Sequence, residues 1–455
     1  MSQSKELGEK PIGLLLRKMA IPASAGMLVM SIYSIVDTIF VGLWVGTLGI
    51  AAITVVMPIM FLISSMGMAI GVGGSSIISR ALGADHHDKA CKVFGNMATL
   101  TLLLVVVLGI GLSFFLIPVL QLFGAQGDIL APAQSYFTIV LLSVPGLAFA
   151  MMGNSVMRAE GEPNMAMFTM MVPAVANLIL DPLFIVWLGW GIEGAAWATT
   201  LAYYASGGFT LWFFLSGRSE LTLYRSSMAL DRKLVREIFS IGIVTLARQG
   251  TISLLTIVLN RTLFQYGTEV AVATYGIINR VMMFANFPVL GITQGFMPIV
   301  GYNFGAGKKE RVRRIINYSI RSGTLISIGL FAAILFFADP IVSIFTNDPE
   351  LISQTPRALV LSFLAVPLIT AQLVSSAYFQ AIGKAWPALI LTLTKQGFFL
   401  IPFVLVLPLY FGLDGVWYAF PISDVLAVAV TYGYLRYELK RDKDLQLEQV
   451  SATAK

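Results

Sequence analysis

Two aspartates lie inside long apolar stretches of the first half of the chain. Asp37 follows Tyr33 by four residues, and Asp181 follows Asn177 by the same interval. Residues four apart share a face of a helix, so each carboxyl group should lie beside a polar neighbour. An ionised Asp costs roughly 2.5 to 3.5 kcal/mol at the centre of a membrane-spanning helix, which makes both acids candidates for a functional site.

Two such faces would form a polar pocket if they met inside the protein. Pro182 adds to it, because proline has no N–H and leaves the Leu178 carbonyl without its helical donor. Two neighbouring carboxyl groups shielded from water can exchange a proton near physiological pH, as a proton-coupled carrier requires. Carboxylate and amide oxygens suit Na⁺ as well, so we expect H⁺ or Na⁺ at Asp37, Asp181 and Asn177. In the alternative interpretation, the two acids only hydrogen-bond helices together.

The composition indicates which elements position these acids. Hydrophobic residues make up 57% of the 455 residues, charged residues make up 12%, and the mean hydropathy is +0.82. These values exclude a soluble globular domain. Apolar stretches of roughly 20 residues, each able to cross a hydrocarbon core of about 30 Å, follow one another along the chain. The sequence predicts twelve transmembrane helices, at residues 14–44, 52–79, 93–122, 133–157, 165–190, 194–216, 237–266, 272–302, 315–346, 357–381, 387–411 and 415–437.

The lysines and arginines indicate the orientation of these helices. They gather in the N-terminal arm, the central linker, the tail and two further loops, whereas the alternate loops carry few basic residues. Basic loops stay in the cytoplasm, so we expect both termini and the linker to be cytoplasmic. The pI of about 9.3 follows from this arrangement, and we expect no nucleic-acid binding.

The two halves of the chain repeat one another at an interval of about 222 residues. Six crossings in each half give both halves the same orientation, which makes them parallel repeats. The predicted fold is an all-α membrane protein with two pseudo-symmetric six-helix lobes around a central cavity. Its parts are an N-terminal arm (1–13), an N-lobe (14–217), a linker (218–236), a C-lobe (237–437) and a tail (438–455). The repeated motifs are ALGA at 81–84 and NFGA at 303–306, RAEG at 158–161 and QAIG at 380–383, and GIEGAAWA at 191–198 and GLDGVWYA at 412–419.

The second half does not repeat the two acids. It carries a different set of charged residues inside predicted helices, namely Arg248, Arg280, Lys395 and Asp424. Lys395 and Asp424 could pair between neighbouring helices. In the alternative interpretation, the four residues contact substrate in the central cavity.

Four motifs together make the chain similar to a known family of membrane proteins. They are VDTIFVG at 36–42, RAEG at 158–161, NLILDP at 177–182 and GYNFGAG at 301–307. With these motifs, residues 12–440 resemble the multidrug and toxic compound extrusion (MATE) family, and most closely its DinF-like and MepA-like prokaryotic branch.

The resemblance implies a secondary active multidrug efflux transporter in the cytoplasmic (inner) membrane of a prokaryote. Such a transporter exports amphipathic, mostly cationic organic compounds in exchange for H⁺ or Na⁺ by alternating access. We expect no enzyme activity, no cofactor, contact with membrane lipids, and a monomer. The polar cluster of the DinF-like branch carries over to Tyr33, Asp37, Asn177, Asp181, Asn154 and Thr199. The NorM-like branch has an acid in its seventh helix, and this chain has none between Arg248 and Asn260.

Other functions remain as alternatives. A flippase for lipid-linked oligosaccharides belongs to the same superfamily, and Arg248, Arg280 and Lys395 could bind the diphosphate of its substrate. An intramembrane protease could use two aspartates, but neither Pro182 nor the internal repeat has a role in proteolysis. A channel would need symmetric subunits or four repeats to build its filter.

Overall fold

The computed structural model describes residues 3–453, with side chains up to residue 441. The described residues form helices and connecting turns, and no strand is found among them. The helices of the first half are α1 (Gln3–Glu9), α2 (Ile12–Trp44), α3 (Thr47–Gly83), α4 (His87–Phe114), α5 (Leu116–Leu122), α6 (Leu130–Leu141), α7 (Val144–Ala159), α8 (Pro163–Asp181) and α9 (Gly191–Leu215). Those of the second half are α10 (Arg232–Gly305), α11 (Lys309–Phe345), α12 (Pro349–Phe363), α13 (Val366–Ala381), α14 (Ala385–Leu393), α15 (Ile401–Val406), α16 (Pro408–Phe411) and α17 (Leu413–Thr453).

The spans agree with a protein that crosses the membrane many times. Among the described residues, eight helices are long and apolar enough to cross a membrane, or ten if each of two bent helix pairs is one span. In this count α10 is a single helix. However, Thr268 has a non-helical φ of 62° and divides α10 into two arms. With α10 taken as two arms and the 25-residue α9 included, the described residues hold twelve segments of membrane-spanning length, as predicted.

Two helices of the first half change geometry at prolines. The bent pair formed by α6 and α7 turns by 54° at Leu142 and Ser143, just before Pro145. The helix α8 passes into a π-helical segment, Pro182–Trp187. Because proline offers no N–H to the preceding turn, the regular ladder of hydrogen bonds cannot continue through these positions.

The described helices form two compact units. Unit 1 contains Met1–Leu246 and Gly301–Gly307, and unit 2 contains Ala247–Val300 and Lys308–Lys455. Each unit has its own apolar core, which includes Ile59 and Phe137 in unit 1 and Leu359 in unit 2. The boundary between the units therefore differs from the predicted one, because residues 218–246 and 301–307 pack with unit 1. The predicted tail continues α17, and its side chains from residue 442 onward lie outside the described part of the chain.

The predicted linker packs firmly against α4 of unit 1. Asn96 on α4 is fully buried, and its Oδ1 accepts a hydrogen bond from the Asp231 N–H at 2.8 Å. The Thr99 hydroxyl donates to the Met228 carbonyl at 2.8 Å. The linker is thus part of the folded unit, because Asn96 satisfies backbone groups that burial would otherwise leave unpaired. The Asn96 amide nitrogen donates to the carbonyl oxygens of Lys92, Ser227 and Ala229.

Four glycines let the backbones of α3 and α10 approach one another closely within unit 1. A Cβ added to any of them would lie within 2.5 Å of a facing carbonyl oxygen, closer than real Cβ atoms come. The repeated motifs at 81–84 and 303–306 each supply one of these glycines, which faces the carbonyl of the residue just before the other motif. The glycines and the carbonyls they face are Gly73 and Ile238 (2.2 Å), Gly242 and Ala69 (2.5 Å), Gly83 and Tyr302 (1.9 Å), and Gly305 and Arg80 (2.0 Å).

Candidate functional site

The packing of α2 against α8 brings the two aspartates together inside unit 1. The carboxyl groups of Asp37 and Asp181 lie within hydrogen-bonding range of each other. Asp181 is 1% exposed, and Asp37 is half-buried. Both side chains therefore lie in one polar cluster surrounded by apolar helices.

Asn177 joins the two helices that carry the acids. Its side-chain amide lies one helical turn before Asp181 and contacts the Tyr33 hydroxyl on α2. With Oδ1 accepting from the Tyr33 hydroxyl, the amide nitrogen donates to Asp181 at 2.8 Å from Oδ1 and 3.2 Å from Oδ2. This orientation satisfies both neighbours at once. Thr199 on α9 lies 3.4 Å from the amide atom that faces Tyr33.

Two tyrosines that the sequence analysis did not select also line this cluster. Tyr136 on α6 is buried and lies close to the Thr199 side chain. Tyr203 on α9 lies close enough to Asp37 to interact with its charge. Tyr203 follows Thr199 by four residues, so the spacing that selected the acids could have found it. No comparable signal marks Tyr136.

Asn154 does not lie in this group. Its amide nitrogen donates to the Ala166 carbonyl at 2.5 Å and to the Thr169 hydroxyl at 2.7 Å, which joins α7 to α8. Thr169 precedes Asp181 by twelve residues, or about 18 Å along a helix. The structure therefore separates Asn154 from the acids with which the resemblance grouped it.

The cluster offers oxygen atoms to a small cation. Two carboxylates so close together repel each other, and a proton or a cation between them relieves that repulsion. Around them, the Asn177 amide nitrogen faces Asp181 and its oxygen faces the Tyr33 hydroxyl, with the Thr199 hydroxyl 3.4 Å from that amide atom. Within the described part of the chain, no group of three or more His, Cys, Asp or Glu residues gathers around a common point.

The charged residues of unit 2 fall into two kinds. Lys395 and Asp424 form an ion pair at 2.7 Å, and Asp424 is 2% exposed. Such a pair satisfies a charge that burial would otherwise make costly. Arg248 is half-buried and Arg280 is exposed, and neither forms an ion pair with a described residue.

The RAEG motif lies apart from the acids, at the end of α7. Glu160 is 1% exposed, and its Oε1 accepts a hydrogen bond from the Ser219 hydroxyl at 2.7 Å. Its Oε2 has no hydrogen-bond partner among the described residues. Burial raises the pKa of the Glu160 carboxyl to about 8. The neighbouring Glu220 accepts hydrogen bonds from the backbone N–H and the hydroxyl of Ser4, which attaches α1 to the linker.

Comparison with known proteins gives one consistent result. The family model MatE matches residues 22–183 and 246–406. The chain is 26% identical over 423 residues to the multidrug export protein MepA of Staphylococcus aureus (strain MSSA476), covering 92% of each protein. It is 28% identical over 433 residues to MepA of Staphylococcus haemolyticus (strain JCSC1435), covering 94% of this chain and 95% of that protein. A crystal structure of MATE in complex with MaL6 has a TM-score of 0.92 at 26% identity, covering 98% of this chain and 100% of that one.

Proposed function

This chain belongs to the MatE family, and from that premise we propose that it is a cation-coupled antiporter for drugs. In this proposal it exports amphipathic, mostly cationic organic compounds and takes up H⁺ or Na⁺ in exchange. Its similarity to two MepA multidrug export proteins, over more than nine-tenths of the chain, supports the export of varied compounds.

The observation that carries the proposal is the contact between Asp37 and Asp181. Two adjacent carboxyl groups in an apolar surrounding have a lower free energy when a proton or a cation is bound than when both are ionised and unloaded. Asn177 hydrogen-bonds with both Tyr33 and Asp181, which ties Asp181 to the helix that carries Asp37. Loading by a coupling ion and loading by a cationic drug would then exclude each other.

The proposed cycle uses this exclusion. With the acids unloaded, a cationic compound binds from the cytoplasm or the inner leaflet, and the carrier then opens outward. A cation from outside loads the acids, the drug leaves, and the carrier returns. The two ligands need only differ in their preference for the two conformations, typically by about 1 to 3 kcal/mol. An inward-negative potential adds about 2.3 kcal/mol per charge per 100 mV.

The setting of this cycle is the bacterial cell membrane, with both termini in the cytoplasm. The basic residues of the N-terminal arm, the linker and the tail support that orientation through the positive-inside rule. A single chain contains both acids and their polar neighbours in unit 1, which supports a monomer as the transporting form.

Dye efflux from vesicles tests the assignment. Asp37→Asn and Asp181→Asn should each abolish efflux driven by an imposed gradient, because each removes one of the two exchangeable carboxyl groups. The matched control is Asp128→Asn, which alters an exposed acid in unit 1. Imposing proton and sodium gradients separately identifies the coupling ion. Full gradient-driven efflux in both Asp37 and Asp181 variants would refute the proposal.

A flippase for lipid-linked oligosaccharides is the second candidate. The observation in its favour is that Arg248 and Arg280 carry no acidic partner among the described residues, so they could contact a diphosphate. Lys395 supports it less, because Asp424 already neutralises its ammonium. Thermal stabilisation by lipid pyrophosphates, but not by organic cations, would favour the flippase.

A further inference from the structure

Unit 1 contains a cavity of about 690 Å³ between α4, α5, α9 and the bend that joins α6 to α7. Its lining follows α4 from Val105 to Phe114, a distance of about 13 Å along the helix. On the other side it reaches Pro145, just after the bend. None of the residues that line it is charged. The acids at Asp37 and Asp181 are not part of this lining.

The surroundings of the cavity determine what can fill it. Phe114 and Leu142 on its wall are 80% and 52% exposed, as expected for side chains that face lipid. An empty space in hydrocarbon forfeits the dispersion contacts of its walls. A water molecule would need two to four polar partners, and the hydroxyls of Ser113 and Thr138 in the lining already donate to carbonyls of their own helices. Hydrocarbon is therefore the favoured occupant.

Two polar side chains of the lining, Ser113 and Gln134, lie toward one end, whereas Thr138 lies one turn further along α6 toward the bend and Tyr204 lies on α9. Ser113 is near the end of α4, and Gln134 is near the start of the antiparallel α6, so both belong to the same end of the helix bundle. The opposite end, at the bend, is formed by Leu141, Val144 and Pro145. A phospholipid has the same polarity, with ester and headgroup at one end and an alkyl chain at the other. The headgroup would lie near Ser113 and Gln134.

We propose that this cavity binds one acyl chain of a phospholipid from the surrounding membrane, and that the bound chain supports the bend between α6 and α7. The Thr200 hydroxyl on α9 donates to the Ile139 carbonyl, just before the bend, at 3.0 Å. The next residue along α9 toward its start, Thr199, contacts Asn177 in the acid cluster. The bend that the bound chain supports and the acid cluster are thus contacted by neighbouring residues of α9. The proposal does not depend on what the protein transports.

Two glycines of α4 offer a matched pair of variants. A Cβ added to Gly109 or to Gly111 meets no atom within 4 Å, so both positions have room for a larger side chain. Only Gly109 lines the cavity. Gly109→Phe should fill the space that the acyl chain occupies, whereas Gly111→Phe adds the same bulk to the same helix outside it.

Photo-crosslinking measures the occupancy directly. Each protein is reconstituted in vesicles of phosphatidylethanolamine and phosphatidylglycerol that contain a phospholipid with a diazirine near the end of one acyl chain. Labelled peptides are then mapped by mass spectrometry. Labelling at residues 105–118 and 134–145 should dominate in the wild type and in Gly111→Phe. It should fall by about tenfold in Gly109→Phe, equivalent to about 1.4 kcal/mol of binding.

Equal labelling of the two variants, or even labelling of every apolar helix, would overturn the proposal. A second measurement uses wild-type protein alone and so does not depend on the folding of a variant. Unlabelled phospholipid should compete with the labelled lipid at these residues, and dodecyltrimethylammonium should not. Displacement by the amphiphilic cation alone would assign the cavity to a drug-like ligand and reject the lipid.

Discussion

Asp37 on α2 and Asp181 on α8 are far apart in the chain, yet their carboxyl groups lie within hydrogen-bonding range. Removing either carboxyl relieves the same repulsion, so the effects of the two substitutions on stability should not be additive. We expect Asp37→Asn and Asp181→Asn to show an interaction energy of about 0.5 to 3 kcal/mol in a double-mutant cycle. Thermal unfolding in detergent measures it. Asp37→Asn combined with Asp128→Asn should be additive, and additivity in the first pair would show that the acids do not interact.

The two asparagines of the predicted cluster should behave differently. Asn177→Ala removes a partner of both Tyr33 and Asp181, so the dependence of efflux on the coupling ion should weaken. Asn154→Ala removes two hydrogen bonds between α7 and α8, and should cost about 1 to 3 kcal/mol of stability while leaving that ion dependence unchanged. Ion-dependent dye efflux and thermal unfolding separate the two effects. An equal change of ion dependence in both variants would contradict the placement of Asn154.

Asn96 should be a large contributor to the stability of unit 1. Asn96→Leu leaves the Ser227 and Ala229 carbonyls and the Asp231 N–H without their partner. Each unsatisfied buried group costs about 1 to 3 kcal/mol, so the variant should unfold at a clearly lower temperature. Thr99→Val, which removes a single hydrogen bond to the linker, is the control and should have a smaller effect. Equal effects would mean that the linker does not depend on Asn96.

The close backbone contacts in unit 1 predict intolerance of a methyl group. Gly83→Ala and Gly305→Ala should each lower the free energy of unfolding by about 1 to 3 kcal/mol, because the added Cβ overlaps a carbonyl oxygen. Gly276→Ala in α10 places the same methyl group in open space. It should raise the stability by up to about 1 kcal/mol, since alanine favours helices over glycine. Thermal unfolding of the three variants tests the contrast, and a neutral Gly83→Ala would count against the packing of the two motifs.

Glu160 should make stability depend on pH. Its pKa is about 8 in the folded protein, above the ordinary value of 4.5, because of burial. Between these values the folded state holds the proton that the unfolded state has lost. The contribution of Glu160 to stability is therefore complete below about pH 4.5 and is lost as the pH rises through about 8.

Glu160→Gln should remove this dependence, so that the variant is more stable than the wild type at pH 9. Thermal unfolding measured between pH 4.5 and pH 9 gives the comparison. Glu9→Gln, at an exposed position of α1, should run parallel to the wild type. A Glu160→Gln curve parallel to the wild type would show that the buried carboxyl does not titrate in this range.

Hydrophobic length and local spacing could be read directly from the chain. The spans and the internal repeat depend on runs of neighbouring residues, as does the pairing of each acid with a polar residue four positions away. The same reasoning predicted that Pro182 would disturb its helix, and a π-helical segment begins there. It also gave an ion pair between Lys395 and Asp424 as one interpretation, and the structure shows this pair.

Contacts between distant segments depended on the tertiary structure. The spacing of Asn177 places it beside Asp181, but only the packing of α7 against α8 places Asn154 away from the acids, and only the packing of α2 against α8 brings Tyr33 to Asn177. The linker was predicted as a boundary because it lies between the two sets of six spans, but Asn96 supplies hydrogen bonds that hold it against α4.

The sequence by itself determined that this is a membrane protein with two acids inside apolar segments, because apolar length and the cost of a charge in hydrocarbon are properties of a single segment. Only the tertiary structure decided that Asp37 and Asp181 share one cluster with Tyr136 and Tyr203, and that a lipid-facing cavity lies beside the bend of α6 and α7. Such features depend on the relative rotation and bending of helices. Those are set by the packing of side chains from distant parts of the chain, which local spacing does not specify.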